Sequence, residues 1–205
     1  ECIGQGLANA ATGFIGGEGL EDLLAAARDE GRLIGILNGC EYDVPRLRRP
    51  GWARLLGMLE AQLHDWQKND PGNEAHLLAL QRIDKLPKRR PLHVLTSIGR
   101  LVAQKATLLL HGADDGNSAL ERIAAALDRK AAIIILGSGE AIFEERLLKV
   151  AHRCPNVLFL QGYSEMLAEP VYAVGDLFLM PSSFEPCGIS QMLAMRYGQP
   201  CVVHG

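Results

Sequence analysis

The stretch AAIIILGSGEAIFEERLLKVAHRCPNVLFLQGY, residues 131–163, decides the fold. Its opening, AAIIILGSG (131–139), is apolar at every position until a glycine turn. A strand with one face in water would alternate, so this one reads as buried on both faces. EERLLKVAHRC (144–154) has helical spacing, and NVLFLQGY (156–163) is a second continuously apolar strand. Strand, helix and strand in that order form the repeating unit of a parallel sheet.

The same rhythm extends in both directions. Downstream come a short helix MLAEPVYAVG (166–175), a strand DLFLMPSS (176–183), a helix over 186–197 and a last strand starting in PCVVHG (200–205). Upstream lie the helix SALERIAAALDRK (118–130), a helix over 103–112 and the strand LHVLTSI (92–98). The fold class is therefore α/β, a doubly wound parallel sheet, Rossmann-like, whose pattern stops part-way at the carboxyl end. Before residue 91 the pattern is mainly helical. LEDLLAAARDEGRL (20–33) carries a stripe of Leu20, Leu23, Leu24 and Ala27, with Gly31 as its stop. IGILNG (34–39) reads as a short strand closed by a turn at Asn38-Gly39, and another amphipathic helix follows Pro50 until NDPGNE (69–74) breaks it. Residues 1–19, rich in Gly and Ala, read as a loop. The expected division is 1–77, a helical linking segment, and 78–205, an incomplete ligand-binding α/β domain.

Composition narrows the function. Lys plus Arg number 21 against 24 Asp plus Glu, a net charge of −3, which lacks the basic excess that holds nucleic acid. No apolar run reaches the roughly 18 residues of a membrane span, and the first residues do not read as a signal peptide. Five cysteines, odd in number and without C-x-x-C spacing, suit free thiols in a reducing cytoplasm better than a disulfide framework or a zinc site.

In open α/β sheets ligands sit beyond the carboxyl ends of the strands. Four loops meet that description. SIGRLVAQK (97–105) offers Gly99, Arg100 and Lys105, and LGSGE (136–140) offers Gly137 and Gly139, where a ligand could approach the backbone closely. QGYSE (161–165) adds Tyr163, and SSFEPCG (182–188) adds Glu185, Cys187 and Gly188. Two cations, a glycine turn, an aromatic ring and helix amides together suit a negatively charged nucleotide with an attached polar group. At the last loop, Pro186 fits the first helical position, leaving the Cys187 and Gly188 amides free for an anion. Glu185 either accepts hydrogen bonds from sugar hydroxyls or balances the positive helix end. Taken singly, each residue has a plainer reading: solvated charges, a common turn, a partly buried tyrosine. With no histidine in its local motif, Cys187 does not read as a nucleophile.

These residues resemble a known family. FEPCGISQMLAMRYGQPCVV (184–203) resembles the F-E-P-C-G-L-T-Q signature of bacterial glycogen and starch synthases, which leads into a helix ending in R-Y-G. RLVAQK (100–105) is similar to that family's R-L-T-x-Q-K loop, LGSGEAIFEERL (136–147) to its L-G-x-G-D/E turn, and GRLIGILNGCEYD (31–43) to its G-x-L-N-G-I-D-Y-D segment. Ala106 stands where the family usually has glycine, and the segment from Trp52 to Trp66 matches no motif.

The resemblance implies a GT-B fold, two Rossmann-like domains facing a cleft, of which residues 78–205 would be the donor-binding part. Residues 1–77 would link it to the first domain. It implies transfer of glucose from ADP-glucose to an α-1,4-glucan with retention, with neither metal ion nor cofactor. Arg100 and Lys105 would neutralise the diphosphate, Glu185 would hold glucose hydroxyls, and the Cys187 and Gly188 backbone would line the sugar and phosphate site. Tyr163 would lie near adenine or ribose, with Gly99, Gly137 and Gly139 in the surrounding loops. The partners implied are a nucleotide-sugar and a glucan, with no nucleic acid or membrane. An amino-terminal domain carrying K-x-G-G-L and a following T-G-G-L-x-D-T-V stretch are expected beyond this chain, which alone is expected to be inactive. Another retaining GT-B enzyme with a different nucleotide-sugar, or a non-catalytic nucleotide- or carbohydrate-binding module, is the alternative.

Overall fold

The computed structural model describes residues 20–36, 38–42, 48–112, 116–185 and 187–204. Five strands form one sheet: β1 (His93–Ile98), β2 (Ala131–Gly137), β3 (Val157–Gln161), β4 (Leu177–Met180) and β5 (Cys201–Val203). All neighbours are parallel, in the order β3-β2-β1-β4-β5. The chain winds outward from β1 through β2 to β3, then crosses back to place β4 on the other side of β1. The gap between the carboxyl ends of β1 and β4 is thus the point where the winding reverses.

The uniform apolarity of β2 has a simple cause. Ala132, Ile134 and Leu136 face one layer of core, while Ala131, Ile133 and Ile135 face the other. On the second face lie α4 (Ala103–Leu110), α5 (Ala119–Leu127) and α6 (Ala141–Arg153), held by Leu109, Leu120 and Leu147. On the first lie α2 (Trp52–Asn69), α3 (Glu74–Lys85) and α7 (Glu165–Val174). Leu55, Leu59 and Leu63 of α2 are fully buried there, and the Trp52 indole N–H donates to the Pro87 carbonyl at 3.0 Å. α8 (Ile189–Arg196) follows β4.

The carboxyl end of α7 leaves carbonyls without intrahelical donors, and side chains from distant segments supply them. Arg49 and Arg90 donate to Val174 O at 2.6 and 3.1 Å, and Gln199 donates to Tyr172 O at 2.6 Å. Asp176 gathers the two arginines, with Nη2–carboxylate distances of 2.8 and 2.6 Å, and accepts the Val94 amide at 2.8 Å. Burial alone would raise the Asp176 carboxyl, but the hydrogen bonds from Arg90, Val94 and Arg49 outweigh it and hold it below the usual carboxylate range. Glu121 behaves likewise. Burial pushes its carboxyl up, while the Ser118 amide and hydroxyl of its capping box, and then Arg153, bring it below the ordinary value.

A carboxyl depressed in the folded state contributes stability above its unfolded pKa and loses it as pH falls through the folded one. Urea unfolding should therefore show stability declining below about pH 4. Asp176→Asn and Glu121→Gln should each lower stability at pH 7 and flatten that decline. An unchanged acid slope in both variants would refute the assignment.

Several expectations need amendment. IGILNG is not a strand among the described residues: Ile34 and Ile36 are 82% and 89% exposed, with no neighbouring strand to take their backbone hydrogen bonds. α3 is not among the elements expected from the sequence. The helix over 186–197 is shorter, starting at Ile189. Residues 77 and 78 lie inside α3, and the compact unit that holds the sheet comprises Tyr42–Phe184 and Ser190–Gly205. The second unit joins Glu185–Ile189 with the stretch ending at Glu41. It contains α1 (Glu21–Asp29), which buries no residue and leaves Leu23 exposed. The loop expected over 1–19 and the role expected of Pro186 lie outside the described residues.

Candidate functional site

A cleft opens at the carboxyl ends of β1, β2 and β4, where the winding reverses. Gly99, Arg100, Lys105, Pro181, Ser182 and Ser190 line it, above a floor that includes Ala106, Leu136 and Phe178. Arg100 is exposed and Lys105 half-buried. Both follow from local structure. β1 ends at Ile98, and the turn Gly99–Val102 leads into α4, whose first turns carry Lys105. Beside the cleft, buried Tyr172 is hydrogen-bonded to Ser190, and burial pushes its hydroxyl up to about 12, so it stays neutral.

Backbone hydrogen bonds lock the Arg100 turn onto its neighbour. Gly99 N–H donates to Leu136 O at 3.1 Å, Leu101 N–H to Ser138 O at 2.9 Å, and Glu140 N–H to Leu101 O at 2.8 Å. This closeness accounts for the glycines of LGSG. A Cβ on Gly137 would stand 2.1 Å from Gly99 O, and one on Gly139 would stand 2.3 Å from Leu101 O. The space read from sequence as room for a ligand is occupied, on the Cα side, by the Arg100 turn. Gly139 N–H donates to Glu144 Oε1 at 2.8 Å. On the other side, Ser183 N–H donates to Gln104 O at 2.8 Å and the Gln104 amide donates to Phe184 O, joining α4 to the segment after β4.

The structure thus brings Gly99, Arg100 and Lys105 into one cleft. Gly137 and Gly139 form the turn bonded to it, and they do not line it. Tyr163 follows β3 at the same edge of the sheet and is 66% exposed, outside that lining. Glu185, Cys187 and Gly188 belong to the other compact unit. There Gly188 is buried with φ +73°, a left-handed conformation that favours glycine, and its N–H points to Glu185 Oε1 at 3.4 Å. The Gly188 amide, expected to be free, is therefore faced by its own glutamate. Sequence reasoning missed Gln104, although it lies inside the quoted RLVAQK, and it missed Glu144, a half-buried residue in the first turn of α6. Among the described residues no three His, Cys, Asp or Glu side chains gather as a metal site, and no helix is long and apolar enough to cross a membrane.

The family profile described as "Glycosyl transferases group 1" matches residues 93–205, which span the whole sheet. The chain belongs to this family. Among curated members, this glycosyl transferase chain is 36% identical over 188 residues to the glycogen synthase of Hydrogenovibrio crunogenus, covering 91% of the chain and 36% of that protein. It is 38% identical over 184 residues to the glycogen synthase of Desulfitobacterium hafniense, covering 89% and 32%. The chain thus spans about a third of the length of the curated relatives it matches. A solved structure, the catalytic domain of Starch Synthase IV from Arabidopsis thaliana bound to ADP and acarbose, superposes with a TM-score of 0.55 at 29% identity, covering 98% of this chain and 37% of that one. The doubly wound GT-B type of fold is thereby shown, and with it the likeness to glycogen and starch synthases. The glycosyl transferase match begins at the first residue of β1, and the relatives' similarity extends over the helices before it.

Proposed function

We propose that this chain is the donor-binding part of a glucosyltransferase of the glycogen and starch synthase kind, which takes glucose from ADP-glucose. The observation that carries the reading is the pairing of Arg100 and Lys105 in one cleft at the winding reversal of the sheet. The similarity to glycogen synthases, and to a starch synthase solved with ADP, supports it.

Bond breaking between the sugar and a nucleoside diphosphate places negative charge on the departing phosphate. Arg100 and Lys105 are cations carried by a backbone-locked turn and the helix after it, placed to offset that charge and so lower the barrier. The guanidinium is suited to two phosphate oxygens at once, and the ammonium acts as a point charge. Charge neutralisation is thus assigned to the two side chains, with no metal ion. Gly99 opens the turn that carries Arg100, and a Cβ there would come no nearer than 3.8 Å to the Lys105 side chain. Glu185, Cys187 and Gly188 are assigned to the glucose side, and Tyr163 to the base. Transfer goes to an α-glucan with retention, and requires the amino-terminal domain of the parent protein, so the chain alone is inactive.

Titration calorimetry with ADP, ADP-glucose, UDP and UDP-glucose tests this. ADP should bind at ~10 μM to ~1 mM, which corresponds to roughly 4 to 7 kcal/mol. Arg100→Ala and Lys105→Ala should each weaken it roughly 10- to 100-fold, as expected for losing a charged hydrogen bond. Binding of UDP in preference to ADP would replace the donor by another nucleotide-sugar. ADP binding indifferent to both substitutions, in chains whose circular dichroism is unchanged, would remove the site.

A further inference from the structure

Behind the turn Gln161–Glu165 stands a second layer of side chains, supplied by α2 and α3. Gly162 adopts φ +153°, and the Trp66 ring occupies the place of a side chain there, since a Cβ would lie 2.9 Å from its carbons. Trp66 stacks on His76, with ring centroids 5.5 Å apart and planes at 30°. His76 is 5% exposed, and its Nε2 lies 2.7 Å from the Gln161 carbonyl oxygen. A carbonyl oxygen only accepts, so Nε2 carries the proton and donates. Nδ1 is buried without a hydrogen-bond partner. An apolar residue would fill the space without that cost, so the imidazole is favoured here by its donation to Gln161. Ser164 Oγ donates to Gln62 Oε1 at 3.0 Å, and the Gln161 amide donates to Glu144 Oε2 at 2.7 Å. Residues 161, 162 and 164 are thus all gripped from behind, while Tyr163 between them stays exposed.

We propose that Trp66 and His76 are positioning residues for nucleobase selection, fixing the Gln161–Ser164 turn so that Tyr163 presents its ring to the base of the bound nucleotide. The inference rests on the donor-site reading above and assigns α2 and α3 a part in it. An aromatic ring held rigidly loses little freedom when a base stacks on it, whereas a wandering one gives back much of that gain. The phosphates bind elsewhere, at Arg100 and Lys105, so the two contributions separate.

The test is calorimetric titration of ADP and of inorganic pyrophosphate into the 205-residue chain and its variants. His76→Leu should weaken ADP about 5- to 20-fold while pyrophosphate changes less than about twofold, and His76→Gln, which keeps a donor, should restore most of the loss. Gln62→Ala, a substitution at a half-buried position, gives a smaller loss of about threefold in the same direction and does not depend on the core tolerating change at 76. Equal ADP affinity in parent, His76→Leu and Gln62→Ala overturns the inference and leaves the donor site standing. So does a parallel loss of ADP and pyrophosphate. A parent chain that binds neither ligand overturns the donor site first, and this inference falls with it.

Discussion

Gly139→Ala will destabilise the sheet unit by about 3 kcal/mol or more, at the upper end of what overpacking costs. The new methyl group would lie 2.3 Å from Leu101 O, 2.7 Å from its carbonyl carbon and 2.9 Å from its nitrogen. All three are backbone atoms, so no side chain can swing away. Relief requires separating two turns that share the Leu101–Ser138 and Glu140–Leu101 hydrogen bonds. Because Arg100 stands on the displaced turn, ADP affinity should drop with stability, even at temperatures where the variant is folded.

Gly57→Ala is the internal control. Gly57 is exposed within α2, and a Cβ added there would meet nothing within 4 Å. Alanine there should stabilise by roughly 0.5 to 1 kcal/mol, through helix propensity. Urea denaturation of both variants gives the comparison. Equal and small effects would mean that the two turns are not held together as described.

The contrast also indicates which parts of this protein a sequence displays. β2 and β3 are legible because burial on both faces leaves an unbroken apolar run, which few other structures tolerate. α2 is legible as a helix, yet its place on the sheet is not. An amphipathic stripe states that a helix covers something without stating what. α3 is harder to read because its apolar residues are divided between the two core layers: Ala79, Leu80 and Ile83 pack with one, Ala75 and Leu78 with the other. Asn73, whose side chain accepts the His76 amide at 3.0 Å, is the available start signal.

At the candidate site, Arg100 and Lys105 are legible because two cations in one loop after a buried strand point to the carboxyl edge of the sheet, although each alone reads as a solvated charge. The glycines of LGSG are visible as well, but their cause is not. A contact between two backbones leaves the same mark in sequence as an approach by a ligand. Trp66 and His76 sit roughly ninety residues before Tyr163 and meet its neighbours Gly162 and Gln161, so no local pattern connects them. IGILNG shows the opposite failure: among its described residues, an apolar run with strand-like composition acquires no ladder.

Gln199→Leu will cost about 2 to 4 kcal/mol although it removes no charge and nearly preserves volume, the cost of two buried groups losing their partners. Gln199 is 1% exposed. Its Oε1 accepts the Thr96 hydroxyl at 2.8 Å, in the middle of β1, and its Nε2 donates to Tyr172 O at the end of α7. Gly175 is shaped around it, since a Cβ at 175 would meet the amide at 2.3 Å. One side chain from the turn after α8 therefore joins the central strand to the helix that precedes β4. Leucine would leave Thr96 Oγ1 and Tyr172 O unpaired where water does not reach. Thr96→Val alone should cost less, because the glutamine amide keeps its carbonyl partner. The double variant should recover part of the loss, since it removes the stranded hydroxyl as well. Thermal unfolding of the three variants gives the coupling energy. Strict additivity would mean that Thr96 and Gln199 act independently, and that the sheet centre is held by packing alone.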